Sequence, residues 1–185
     1  MKLSSLEDFE NAFVLLDEKL KKENLQLRVR AIGGFVMMYY GLRGNGYTID
    51  VDSLTDDYDV RIQTLIKEVG KELSLDEEWL NTDCATLEGF LDGLASEIEW
   101  QDTRYAFSNI DIKIADIKGM IRSKAKAIHD GGLVPRSTDK KDLLRLLEEV
   151  HIGDLEELDQ NVEYAFIRDE YARCYDFLAK ENSWK

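Results

Sequence analysis

The sequence predicts an α+β fold: a small mixed β-sheet with helices packed on it, followed by a helical C-terminal part. Three observations predict it. Apolar residues recur at helical spacing in the first 22 residues and again over 60–73. Short runs between these stretches alternate apolar and polar residues, or carry acids between apolar neighbours, as half-covered strands do. From residue 116 onward the pattern is helical throughout, broken only by one loop. Helix, strand, helix, strand, helix, then strands, then helices, gives a layered sheet with a helical extension. The expected division is an α/β core over 1–115 and a helical portion over 116–185, packed on the same domain. A chain of 185 residues is long enough for this and for a real core.

The elements follow in order. Ser4 or Ser5, with Glu7 or Asp8 three residues on, forms a capping-box pattern. Leu6, Phe9, Phe13, Leu16 and Leu20 then make residues 5–22 an amphipathic helix. Leu25 to Ile32 alternates as a strand with one covered face. Gly33-Gly34 breaks it, and the apolar run Phe35 to Leu42 is expected to be a buried helix, with Tyr39 and Tyr40 in it. Arg43-Gly44-Asn45-Gly46 reads as a turn. Tyr47 to Leu54 is expected to be a second strand. Val60 to Leu73 is a helix in which Ile62 falls slightly off the apolar stripe. Leu75 to Asn81 is a loop or short helix around Trp79, and Thr86 to Ile98 is expected to be helical. Arg104 to Phe107 and Ile110 to Ile114 read as strands around Ser108-Asn109. Helices are expected at 116–128, 139–150 and 154–180, with a loop at 129–138 that holds Gly131, Gly132 and the only proline, Pro135.

The formal charge is −14, which disfavours bulk nucleic acid as a partner. The charge is uneven. Between Lys113 and Arg145 nine basic residues face four acidic ones, an excess that marks either an anion-docking region or a solvated helix face. No stretch approaches the roughly 20 apolar residues of a membrane span. The first residues run directly into charge, with no apolar leader core, so a cytoplasmic protein is expected. Cys84 and Cys174 are isolated and read as reduced thiols.

Asp50 and Asp52 stand two apart on the expected acidic strand, so both carboxylates share one face. Such a pair suits Mg²⁺, which takes few carboxylates and fills its remaining positions with water and phosphate. A solvated edge strand in an acidic chain gives the same pattern. Gly33-Gly34, where a strand passes into a helix, lets backbone N–H groups approach a phosphate, although a tight turn uses glycines in the same way. His129 and His151 read as partners of helix C-termini. Asp56, Asp57 and Asp59 read as a solvated turn.

Ala31-Ile32-Gly33-Gly34-Phe35 and then Thr48-Ile49-Asp50-Val51-Asp52, with fifteen residues between Gly34 and Asp50, resemble the minimal nucleotidyltransferase fold. Within that superfamily the pattern resembles the AbiEii-like nucleotidyltransferases and their DUF6036-type relatives. Three further segments are similar to that group: Leu75 with Trp79-Leu80-Asn81; Ile110 to Ile114 leading into Met120 to Lys124; and Arg136, Asp139 and Asp142-Leu143. The resemblance spans roughly residues 25–150. It implies Mg²⁺-dependent transfer of an NMP from an NTP to an RNA end, such as that of a tRNA, or to a side chain of a partner protein. The implied setting is a bacterial toxin–antitoxin or phage-defence system. Asp50 and Asp52 would hold the metal, Gly33, Gly34 and Thr48 would belong to the triphosphate site, and Lys124 would pair with phosphate charge. Two departures stand out. Gly46 occupies a place where relatives often have arginine, leaving Arg43 as the substitute. The third carboxylate falls to Asp111, with Asp102 as another candidate. The alternative is a non-catalytic nucleotide-binding or partner-binding module, an antitoxin or adaptor, on the same fold.

Overall fold

A computed structural model describes residues 3–43, 46–86, 95–130 and 136–174. The middle of the expected helix at 86–98, the turn residues Gly44 and Asn45, the loop glycines with Pro135, and the end of the last expected helix lie outside these residues. Two compact units divide at Gly119–Met120, within a helix rather than after residue 115.

The first unit opens with α1 (Leu6–Glu23), started by Ser5. The Ser5 hydroxyl accepts from the Asp8 N–H while the Asp8 carboxylate accepts from the Ser5 N–H, which satisfies two donors that the helix start leaves over. Asn24, in the left-handed conformation, ends the helix. β1 (Leu27–Ile32) follows, then α2 (Gly33–Tyr39), β2 (Val51–Ser53), α3 (Val60–Leu73) and β3 (Leu80–Asn81). A 3₁₀ turn at Asp83–Thr86, the single turn α4 (Ala95–Glu97), β4 (Trp100–Asp102) and β5 (Ile110–Ala115) complete the unit before α5 (Ile117–Asp130) crosses the division.

The sheet has five strands in the order β3-β2-β1-β5-β4. It is mixed, as the sequence predicts: β1 runs parallel to β5 and antiparallel to β2, β2 runs parallel to β3, and β4 is antiparallel to β5. One face is apolar. Leu27, Val29 and Ala31 lie in register with Ile110, Ile112 and Ile114, and all six are buried. Phe9 and Phe13 of α1 meet the rings of Phe35 and Trp79 in an aromatic core. Trp79 is fully buried, and its indole N–H donates to the Ile66 carbonyl at 2.9 Å.

Several boundaries differ from the sequence expectation. Gly33 and Gly34 form the first turn of α2 instead of separating it from β1. The acidic strand shrinks to three residues, so Asp50 precedes it and only Asp52 lies within it. β3 lay hidden in an expected loop, and β4 lies before Arg104–Phe107, which is not a strand. On α3, Ile62 is buried and Val60 is exposed, so the buried stripe is Ile62, Ile66 and Val69. Tyr39 and Tyr40 are half-buried rather than core.

In the second unit, α5 continues through His129 to Asp130, and α6 spans Ser137–Glu149 with no side-chain cap. The long last helix is interrupted. α7 (Leu155–Gln160) ends where Asn161 turns extended, a 3₁₀ turn follows at Ala165–Ile167, and residues 168–174 are helical again. Cys174 is buried.

Truncating Trp79 to alanine removes its ring stacking and its bond to Ile66 together, and is expected to cost about 3–5 kcal/mol of stability, read as a lower urea midpoint at unchanged slope.

Candidate functional site

The site grows from the end of β1. Gly33 has φ +72°, a conformation that side chains rarely adopt, and a Cβ there would strike the Asp52 carboxylate. A Cβ at Gly34 would strike the Arg43 guanidinium and the Thr48 side chain. The glycine pair is therefore a place of close approach, where backbone meets three polar side chains. Arg43 Nη1 lies 3.4 Å from Thr48 Oγ1. Gly33, Gly34, Arg43, Thr48 and Asp52, five residues singled out in the sequence, are brought together.

Asp50 joins them through Asn81. Asn81 is in register with Asp52 on the neighbouring β3, and its amide donates to Asp50 Oδ2 at 3.4 Å. Both carboxylates also act on Cys84. Burial pushes the Cys84 thiol up to about 12, with the charge of Asp52 and, more weakly, of Asp50 adding to the effect. The thiol therefore stays protonated and is no nucleophile at neutral pH.

Asp111 sits elsewhere. It lies beside Arg28 in the β1–β5 register, whereas Asp52 pairs with Ile32. That is four residues along β1, or about 13 Å from strand rise alone, with β1 itself between them. Arg30 binds the Asp111 carboxylate at 2.7 Å, and Arg28 lies 4.0 Å away. The β5 position level with Asp52 on the same face is Ala115, one step beyond the Ala31–Ile114 pair. Asp102 is paired to Lys113 at 2.9 Å. Asp116 caps α5, accepting from the Gly119 N–H at 3.0 Å and from the Glu99 N–H at 3.2 Å. Among the described residues no three His, Cys, Asp or Glu side chains gather as a metal cluster.

Lys124 belongs to the second unit and is buried there. Its ammonium lies 2.7 Å from Asp139 and 3.0 Å from Asp142, and Arg136 reaches Asp139 at 2.8 Å. Burial alone would push the Asp139 carboxyl up, but Lys124 and Arg136 outweigh it and hold it below the ordinary range. The Asp139 carboxylate is therefore engaged in this network. His129 pairs with Glu170 at 3.1 Å.

Sequence reasoning passed over Asn81 as a neighbour of the carboxylates, because nothing local marks β3 as a strand. Comparison of the chain with protein-family models, with curated proteins and with solved structures gave no match in any of the three.

Replacing Lys124 by methionine leaves Asp142 buried without its lysine and Asp139 with Arg136 alone, and is expected to cost about 3–5 kcal/mol at pH 7. The folded value of Asp139 lies below its unfolded one, so the stability it contributes is complete above about pH 4 and is lost as pH falls through the folded value. Urea titrations of wild type and Lys124→Met should differ widely at pH 7 and converge toward pH 3. An equal gap at both pH values would assign the loss to packing alone.

Proposed function

We propose that the protein is a Mg²⁺-dependent nucleotidyltransferase that moves an NMP from an NTP to an acceptor, either an RNA end or a protein side chain. The observation that carries this reading is the close approach at Gly33-Gly34, where the glycine backbone meets Asp52, Thr48 and Arg43. A phosphate-binding turn, an acidic pair and a cation at one place are what triphosphate chemistry requires.

The donor set fits one magnesium ion. Asp50 and Asp52 supply two carboxylates, and Mg²⁺ ordinarily takes one or two, completing its shell with water and substrate phosphate. Bound there, it would offset charge on the triphosphate and on the departing pyrophosphate. The chain's own residues would bind and orient. Gly33 and Gly34 carry no side chain of their own, which lets Asp52, Thr48 and Arg43 gather directly on their backbone. Arg43 is the better phosphate partner of the two candidate cations, because Lys124 already holds two carboxylates. Asn81 fixes the orientation of the Asp50 carboxylate.

The acceptor is left between two classes. The acidity of the whole chain disfavours RNA, and the basic excess over 113–145 favours it. No helix among the described residues is long and apolar enough to cross a membrane. A cytoplasmic toxin–antitoxin or phage-defence setting is the context that the sequence resemblance implies.

A second reading, a nucleotide-binding module without transfer activity, is favoured by one observation. Ala115 stands level with Asp52 where a third carboxylate would help deprotonate the acceptor, and Asp111 is tied to Arg30.

One experiment separates the readings. Each α-labelled NTP is incubated with Mg²⁺, bacterial lysate and the protein, beside an Asp50→Ala/Asp52→Ala control, while calorimetry follows Mg-NTP binding. Transferred label that the control lacks supports the enzyme. Binding lost in the control but without transfer supports the module. Neither binding nor transfer removes both.

A further inference from the structure

Ser4 lies outside every helix and strand, one residue before the α1 cap, yet it is fully buried and its Oγ meets no hydrogen-bond partner among the described residues. A buried hydroxyl left unpaired is uncommon and costs stability, so its position calls for a reason. The backbone supplies one. Ser4 and Thr48 form an isolated antiparallel bridge: the Ser4 N–H donates to the Thr48 carbonyl at 2.7 Å, and the Thr48 N–H donates to the Ser4 carbonyl at 3.0 Å. Residues directly opposite in such a pair project to the same side. The Thr48 side chain lies against Gly34 and beside Arg43, so the Ser4 hydroxyl is on the side of the bridge where these three meet. Leu3 and Tyr47, one step along each segment, are about half exposed and face the other way.

The bridge joins a segment fixed to α1 to one that lies outside the helices and strands. Ser5 is fixed by the capping box with Asp8, and the helix behind it buries Phe9 and Phe13 in the aromatic core. Residues 46–50 have no helix or strand, and the Ser4 bridge is their one strand-type tie among the described residues. That segment carries Thr48 and Asp50.

We propose that Ser4 is a positioning residue of the nucleotide site: its bridge to Thr48 clasps the segment that presents Thr48 and Asp50 beside Gly34, and so sets the affinity for Mg-NTP. The proposal rests on reading this site as a nucleotide site.

The test compares Ser4→Pro, which removes the N–H that donates to Thr48, with Asp8→Ala, which breaks the capping box of the same helix and leaves the bridge intact. Deleting residues 1–4 removes the clasp by an independent route, so that a folding defect peculiar to proline does not decide the outcome. Two quantities are measured: amide exchange over 46–52 in the ligand-free protein, and dissociation constants for Mg²⁺ with each of ATP, GTP, CTP and UTP. Ser4→Pro and the deletion should speed exchange at Thr48 and weaken nucleotide binding by about tenfold, the equivalent of one lost hydrogen bond. Asp8→Ala should leave both nearly unchanged at a comparable loss of thermal stability.

Unchanged exchange at Thr48 in both clasp variants overturns the proposal. So does faster exchange with unchanged affinity. Equal weakening by Asp8→Ala overturns it too, because general loosening of α1 would then explain the effect. A wild-type protein that binds none of the four nucleotides removes the reading of the site and the proposal with it. That outcome shows in the wild-type row alone, and so is distinct from a failure of the clasp.

Discussion

Strand β1 is the constraint on which the first unit depends. It is the central strand, and its two neighbours pair with it in opposite senses. Its inward residues Leu27, Val29 and Ala31 fix the register with β5, because a slip of one residue would turn Leu27, Val29 and Ala31 out to the other face. The same register fixes the polar face. It sets Arg28 beside Asp111 and Ile32 beside Asp52, and so decides which carboxylates can share a ligand. Where β1 ends, the chain turns at once into α2, and the turn needs Gly33 at positive φ and Gly34 without a Cβ. Core packing and the candidate site are therefore two faces of one strand.

Charge is treated differently in the two units. In the first, Asp50, Asp52 and Arg43 are partly exposed around the glycines, a setting in which an ion or phosphate can exchange with solvent. In the second, Lys124, Asp139 and Asp142 are withdrawn from water and compensate one another. A buried network of this kind adds little net stability over apolar packing, yet it penalises any arrangement that leaves one member unpaired. The lysine that the sequence offered for phosphate is the cation of that network.

Local sequence pattern carried α1, β1, α3, β5 and α5 well, since each has a strong period or a clear start and each lies where that period meets the core. Patterns weaken where an element is short. β2, β3 and β4 have two or three residues each, too few for alternation to register, and their pairing comes from neighbours far along the chain. The long last helix failed for a different reason: its apolar spacing is helical, but Asn161 adopts an extended conformation that divides it.

By itself the sequence determined that this is an α+β chain with a glycine pair after one strand and an Asp-x-Asp motif on or near the next. Those features are local, set by side-chain period, backbone freedom and residue type. Only the tertiary structure decided that Arg43 and Thr48 meet Gly34, that Asn81 of β3 pairs with Asp52 and reaches Asp50, and that Ser4, not Ser5, faces Thr48. It also decided that Asp111 belongs to Arg30 and that Lys124 is neutralised by Asp139 and Asp142. Each of these is a choice of partner across tens of residues. It follows from strand register and the avoidance of unpaired buried charge, which no window of neighbouring residues contains.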